Sequence, residues 1–339
     1  KDAFVETLRV NTATVRRKIK SSNLVVDQTT VGKQTLTSVA IIYMDGITNK
    51  HIVDEIKQRL NSIDIDEALA PAFINEYIIP LNLSVFPQTV YTERPDKFCS
   101  NIVEGRVGLI IDGIAGSLII PATLLQFVQA PEDYSQNYIV SSIIRILRFA
   151  MIITTLYLPG FYVSVTSFHH EMIPTDLAIS IQNAKQGVPF PSWLEVTGML
   201  IAFEILVEAG LRLPKTIGQA VSIVGAVIVG QAAASAKLVS PAVVVIIATT
   251  AIASFTMPNQ DLSNALRLWR FIFVILCSIF GLFGLSIGGI ILLYHLCTIV
   301  NFGVPYMSPF VSGENEQFKD TVLRFPIKFL IRRPHSLKT

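Results

Sequence analysis

Glu204 and Glu208 are the residues in this chain best placed for chemistry: two carboxylates four apart inside an apolar run. That spacing puts them on one helix face, with Arg212 one turn further along it. A charge held at the centre of a bilayer costs roughly 2.5 to 3.5 kcal/mol, so both carboxylates are expected to face protein or water. Two readings follow. The pair forms a carboxylate ring or ion relay, with Glu204 as the working residue, or Glu208 pairs with Arg212 and closes the helix end. Downstream, Gly218 to Ala236 is almost entirely glycine, alanine and valine, with Gln219, Ser222 and Gln231 as its polar groups. Small residues let helices approach closely in a membrane. The stretch is therefore either a packing helix or the lining of a narrow apolar channel that gates by dewetting. Gln219, Ser222 and Ala226 share one helix face and Val224 and Gln231 another; the sequence leaves open which face would line a pore, so Gln219, Ser222, Val224, Gly225, Ala226 and Gln231 are together the pore-lining or gating candidates.

Other chemistries lack their residues. Gly32-Lys33-Gln34-Thr35 has the glycine and lysine of a phosphate loop, but the first glycine is absent and Gln34 stands where a hydroxyl would hold magnesium. Asp64, Asp66 and Glu67 lack the glycine and final glutamate of a calcium loop, and read as a solvated helix start. His169-His170-Glu171 has no second histidine at zinc-protease spacing and reads as an interfacial loop; no GxSxG elbow is present. Cys99, Cys277 and Cys297 show no paired spacing, and two of them lie in apolar runs. No basic stripe with interleaved aromatics marks a nucleic-acid binder. The expectation is a non-enzyme with no cofactor, no metal and no nucleic-acid partner.

These residues must be positioned by two kinds of structure. The chain has 339 residues, of which 51% are hydrophobic and 15% charged, with a net charge of +2, and its mean hydropathy of +0.54 excludes a wholly water-soluble protein. The charge deficit begins near residue 139. Residues 1–138 are expected to form a cytosolic α/β domain, 139–310 a helical membrane domain of five or six segments, and 311–339 a basic cytosolic tail. Because the chain opens on Lys1, the first domain is read as N-terminally incomplete. Helices are predicted over Ala3 to Lys20, Asn49 to Ser62 and Pro95 to Glu104, and strands over Val39 to Tyr43, Val107 to Ile111 and Ser117 to Ile120, with a turn at Asp112-Gly113. About 20 apolar residues cross a hydrocarbon core. Spans are placed near Ile143 to Val163, Glu195 to Leu211, Ile217 to Ala236 and Leu238 to Met257, with Leu158-Pro159-Gly160 read as a helix end. The run Phe271 to Val300 is read as a hairpin broken at Gly281, Gly284, Gly288 and Gly289, or else as one tilted helix. Arg145, Arg148, Arg212, Lys215, Arg267, Arg270 and the basic tail mark the cytosolic side, and the segment holding Lys185 faces outward.

Several stretches resemble a known family. They are Phe4-Val5-Glu6-Thr7-Leu8-Arg9 with Asn11-Thr12, Gly105-Arg106-Val107 through Asp112-Gly113, His169 to Thr175, Val188-Pro189-Phe190-Pro191, Phe203 to Pro214 with both glutamates, Gly230-Gln231-Ala232-Ala233, and Phe302-Gly303-Val304-Pro305-Tyr306. In that order they resemble the A subunit of GerA-type spore germinant receptors. The resemblance implies a protein of the spore inner membrane that acts with a transporter-like B subunit and a lipoprotein C subunit to sense nutrients and start germination. It further implies an A subunit that oligomerises into a ligand-gated ion channel releasing monovalent cations, with nutrient binding mainly on the B subunit. A paralogue made late in sporulation shares the motifs. The competing reading is a non-conducting scaffold that holds the transporter-like partner. A secondary transporter would need matching broken helices in two repeats, and only one glycine-interrupted segment is present.

Overall fold

The computed structural model describes residues 2–79, 84–211, 225, 228–312 and 317–329. The chain divides into two compact units: one holds the residues up to Ile146 and those from His295 onward, the other runs from Leu147 to Tyr294.

The first unit is built on a five-stranded antiparallel sheet of order β1-β2-β4-β5-β3, with β1 at Leu24–Val31, β2 at Thr37–Met44, β3 at Val90–Thr92, β4 at Val107–Ile111 and β5 at Ser117–Ile120. Every residue of β4 and β5 is buried, as expected of strands covered on both faces. On one face lie α2 (Lys50–Asn61) and α3 (Pro71–Ile78). Ile52, Ile56 and Leu60 recur at helical spacing there and join Val39, Ile41, Leu109 and Ile111 in one core. On the other lie α1 (Leu8–Lys18) and α4 (Pro95–Glu104), which pack on β2 and β4. Gly108 makes that packing possible, since a Cβ there would stand 2.1 Å from Phe98 Cζ.

The predicted helix from Ala3 starts instead at Leu8. Asn11 is buried and binds back to residue 5, accepting from Val5 N at 2.9 Å and donating to Val5 O, while Asp112 Oδ1 accepts from Leu8 N at 2.9 Å. The side chains thus hold residues 4–7 extended and cap the first turn. The predicted turn at Asp112-Gly113 is present, with Gly113 at φ +80°. The two decoy motifs form one clamp. Lys33 N donates to Ile65 O, Gln34 N and Thr35 N both donate to Asp66 O, and the Lys33 ammonium pairs with Asp64. Backbone hydrogen bonds and the Lys33–Asp64 ion pair thus join the two stretches as a loop closure.

Residues beyond 294 do not follow the expected division at 310. Val300–Asn301 (β6) and Val304–Pro305 (β7) form a hairpin, and Phe302 and Val304 enter the core of the first unit. Asn301 Nδ2 donates to Gln88 O at 2.9 Å, and Tyr306 is fully buried. An apolar run ending in turn residues reads as membrane by composition, but Phe302 and Gly303 adopt positive φ and turn the chain into the core of the first unit. This unit also holds α5 (Leu124–Val128), the first turns of α6 (Tyr138–Ser167) and short 3-10 turns at Pro131–Tyr134, Gln317–Lys319 and Ile327–Phe329.

The second unit is helical. It contains most of α6, α7 (Thr175–Lys185), α8 (Ser192–Leu211), a helical stretch at 228–235, α9 (Pro241–Phe255), α10 (Gln260–Phe280) and most of α11 (Leu282–Thr298). Among the described residues, α6 and α10 are long and apolar enough to cross a membrane; α9 and α11 are shorter apolar helices of 15 and 17 residues. The expected helix end at Pro159 is not observed: α6 continues through it to Ser167. Where water is scarce, ending a helix frees backbone groups that nothing else satisfies. Gly160 serves packing instead, because a Cβ there would lie 2.9 Å from Cys277 Sγ. The long run after Asn259 breaks at Gly281 (φ +59°), and the second helix returns antiparallel, with Gly284 against the Leu276 carbonyl and Gly288 against Phe273. Since α10 starts at Gln260, Arg267 and Arg270, expected to flank a span, lie inside a helix. Half of the predicted span at 217–236, residues 217–224, 226 and 227, lies outside the described residues.

Candidate functional site

Glu204 sits on α8 and Arg267 and Arg270 on α10, three apart and so on one helix face. The helices pack together, and the carboxylate is shared: Arg267 Nη1 donates to Oε2 at 2.9 Å and Arg270 Nη2 to Oε1 at 2.7 Å. The side chains are 28%, 13% and 0% exposed for Glu204, Arg267 and Arg270. Arg267 also reaches Asn264, and the Arg270 guanidinium lies 5.9 Å from the Phe271 ring centroid. Three charges sum to +1. Among the described residues, Nε of both arginines and Nη1 of Arg270 have no hydrogen-bond partner. An apolar helical unit therefore encloses one excess positive charge, and its carboxylate is already engaged.

Glu208 lies one turn along α8 and is exposed. Its expected partner Arg212 lies outside the described residues, as do Gln219, Ser222, Val224 and Ala226. Gly225 and Gln231 are described, and both border α8. A Cβ on Gly225 would meet Leu206 Cδ2 at 3.1 Å, and one on Gly230 would meet Val244 Cγ1 at 2.8 Å. Gln231 is the polar residue lining an apolar cavity of about 130 Å³ bounded by Phe203, Leu206, Val229, Val244 and Ala251. Small residues here do what small residues do in membranes: they admit a neighbour's side chain.

A third carboxylate on α8 was not singled out by sequence reasoning. Glu195 is fully buried; it accepts from Ser240 N at 2.7 Å, at the start of α9, and stands 3.3 Å from Lys185 Nζ. A negative charge at a helix N-terminus is stabilised by the free N–H groups there. The available signal was Lys185, the lone basic residue between the first two spans, ten residues ahead of an acid that opens an apolar run. His170–Met172 form a short 3-10 turn with His169 just before it, and no group of three or more metal-ligating side chains occurs among the described residues. Among the described residues, this unit gathers its buried charges into clusters between helices, Glu204 with Arg267 and Arg270 and Glu195 with Lys185.

The Bacillus/Clostridium GerA spore germination protein family matches residues 1–336. Spore germination protein KA of Bacillus subtilis (strain 168) is 44% identical over 337 residues, 99% of this chain and 62% of that protein. An uncharacterized membrane protein of the same strain, YfkQ, is 42% identical over 334 residues, 98% of this chain and 65% of its own length. The chain thus spans under two thirds of both. The crystal structure of the N-terminal domain of the A subunit of the Bacillus megaterium spore germinant receptor GerK3 is 39% identical, covers 37% of this chain and 100% of that one, and gives a TM-score of 0.31. The resemblance carried by the seven motif stretches thus extends to nearly the whole sequence, and this chain belongs to the GerA spore germination protein family.

Proposed function

We propose that this chain is the A subunit of a nutrient germinant receptor of bacterial endospores and forms an oligomeric, ligand-gated channel that releases monovalent cations to start germination. It acts in the spore inner membrane as a multi-pass protein, with its first unit and its tail cytosolic, beside a transporter-like B subunit and a lipoprotein C subunit. The observation that carries the reading is the Glu204–Arg267–Arg270 cluster. Ionisable groups enclosed by apolar helices are expensive and mark ion pathways or the elements that hold them. Because Glu204 is engaged by two guanidinium groups, it is assigned to holding α8 against α10. The lining and gate are assigned by sequence pattern to Gln219, Ser222, Val224, Gly225, Ala226 and Gln231, next to Glu208. Family membership supports the germination role.

The scaffold reading is favoured by a different observation: Gly225 and Gly230 sit in close van der Waals contact with Leu206 and Val244, as a purely packing helix would. Potassium release separates the two. Spores carrying Val224→Ala, Val224→Phe or Gly225→Ala are assayed with and without a mixture of L-amino acids, nucleosides and glucose, with immunoblots for all three subunits. Release without the mixture at normal subunit levels is the expected result. Unchanged release from every variant at normal levels refutes the pore assignment and leaves the scaffold.

A further inference from the structure

In the first unit, the C-terminal segment is bound to the base of α6 by a compact set of charges. Arg145, only 1% exposed, donates from Nε to Asp133 Oδ2 at 2.9 Å and from Nη1 to Asp320 Oδ1 at 2.7 Å. Arg324 mirrors it, donating from Nη1 to Asp133 O at 2.6 Å and to Gln136 O at 2.9 Å. Tyr134 lies between the two guanidinium groups, 5.3 Å from each, and donates its hydroxyl to Asp320 Oδ2 at 2.6 Å. Ser142, on the first turns of α6, holds the backbone of Arg324: its Oγ accepts from Arg324 N at 3.0 Å, and its single proton is shared between Tyr138 O at 2.8 Å and Arg324 O at 3.1 Å. Gln129 adds a bond to Asp320 O at 2.7 Å.

Two features set this attachment apart from ordinary core packing. The charges cancel, two aspartates against two arginines. Few apolar side chains of the same segment are buried: Phe318, Leu323 and Phe325 are exposed, Phe318 meeting Phe310 edge-on at 5.7 Å, and Val322 is half-buried, whereas Thr321 and Arg324 are buried. The segment makes a single isolated bridge, Asp320 to Arg324, and joins no sheet. Polar and ionic ties therefore hold it in place of apolar burial. Such ties exchange for water when the segment lifts, whereas exposing a buried apolar face has no such compensation. The helix they grip runs on past Ile146 into the helical unit.

We infer that residues 317–324 are a latch on the base of α6: closed, they hold the receptor at rest, and their release is a step of the response. The consequence for ion flux rests on the channel reading above; the geometry does not. Receptor-bearing spore membranes and dormant spores test it with Asp320→Asn, which keeps the shape and removes the charge facing Arg145 and Tyr134. Trypsin cleaves after Arg324 only when that backbone leaves Ser142. Cleavage there, mapped by mass spectrometry, is expected to run at least about tenfold faster in Asp320→Asn. Potassium is expected to leave dormant spores with no nutrient added, at normal subunit levels, and Asp320→Glu is expected to restore both properties. Unchanged protection overturns the latch. So does faster cleavage with neither leakage nor any change in the response to the amino acid, nucleoside and glucose mixture, since the tie is then static. Faster cleavage with premature core rehydration but no early potassium release keeps the latch and removes the channel. Should Asp320→Asn not accumulate, Ser142→Ala is read in the same assays, and wild-type cleavage and release there overturn the proposal.

Discussion

Replacing Glu204 by alanine leaves two guanidinium groups facing each other in an apolar unit. The carboxylate makes two charge-assisted hydrogen bonds, at 2.9 and 2.7 Å, and each such bond contributes about 1.5 to 3 kcal/mol. Glu204 and Arg267 retain some solvent contact, which puts that pair at the lower end; Arg270 retains none, and removing one partner of a buried pair costs about 3 to 5 kcal/mol. The two estimates overlap near ~3 to 4 kcal/mol. The assay is unfolding of the purified chain in mixed detergent micelles, followed as the midpoint of an SDS titration and repeated for Glu204→Gln and for the apolar triple Glu204→Leu, Arg267→Met, Arg270→Met. A desolvated ion cluster is often replaceable by apolar residues without loss, so the triple is expected within about 1 kcal/mol of the parent while the single variant fails. The reasoning is refuted if Glu204→Ala unfolds within about 0.5 kcal/mol of the parent, a difference typical of surface substitutions. It is equally refuted if the triple is as damaged as the single. Should the triple fold yet lose nutrient-triggered potassium release at normal subunit levels, the cluster takes part in function as well as in holding α8 to α10.

Two further outcomes follow from the packing. Gly284→Ala places a Cβ 2.2 Å from the Leu276 carbonyl oxygen, and because a backbone atom cannot turn aside, the α10–α11 reversal must open; overpacking of about 1 to 3 kcal/mol or more is expected, read as a lower SDS midpoint and less subunit on immunoblots. Burial pushes the Cys99 thiol up to about 11, so its labelling by iodoacetamide in the folded chain should rise roughly tenfold per pH unit between 7 and 9 yet stay on the order of 100-fold below an ordinary thiol; labelling as fast as in denaturant would contradict the burial.

The sequence was most legible where a local rule acted alone. The spans Pro95–Glu104, Val107–Ile111 and Ser117–Ile120 match their expected limits, because α4 opens on proline and closes on Gly105 at φ +108°, and the two strands flank an Asp-Gly turn. Strand β1 was missed: Leu24–Val31 carries Asp27 and Gln28 on an edge where only one neighbour is needed, so its apolar alternation is weak. The start of α1 was unreadable because its cap, Asp112, is 104 residues away. On α8, helix spacing puts Glu204 on a face with Glu208, but the partners of Glu204 come from a helix 63 residues on, and no local pattern reports that. Arg267 and Arg270 were visible as charges and misplaced as flanks, since a positive charge next to an apolar run reads the same whether it meets headgroups or a buried acid.

The motif stretches themselves divide by what they do. Phe4 to Thr12 and Asp112-Gly113 are remote in sequence and meet in space: Asp112 caps Leu8, Asn11 folds onto Val5, and Gly113 N donates to Glu6 O at 2.8 Å. Gly105 ends α4, and buried Arg106 binds Asn101 at 2.8 Å. Phe302 to Tyr306 seals the same core. In the first unit, then, these residues are caps, turns and closures, and substituting them perturbs folding before it perturbs signalling. The stretch around Glu204 differs in kind. It introduces a charge that an apolar helix does not need for its own stability, and two arginines must be brought inside to hold it. A cluster whose members hold one another in place, yet which apolar residues of similar size could replace, is a place to look for a role beyond packing. On that argument the first functional experiments belong on α8 and α10, and on the Asp320 latch at the base of α6, ahead of the motif residues of the sheet.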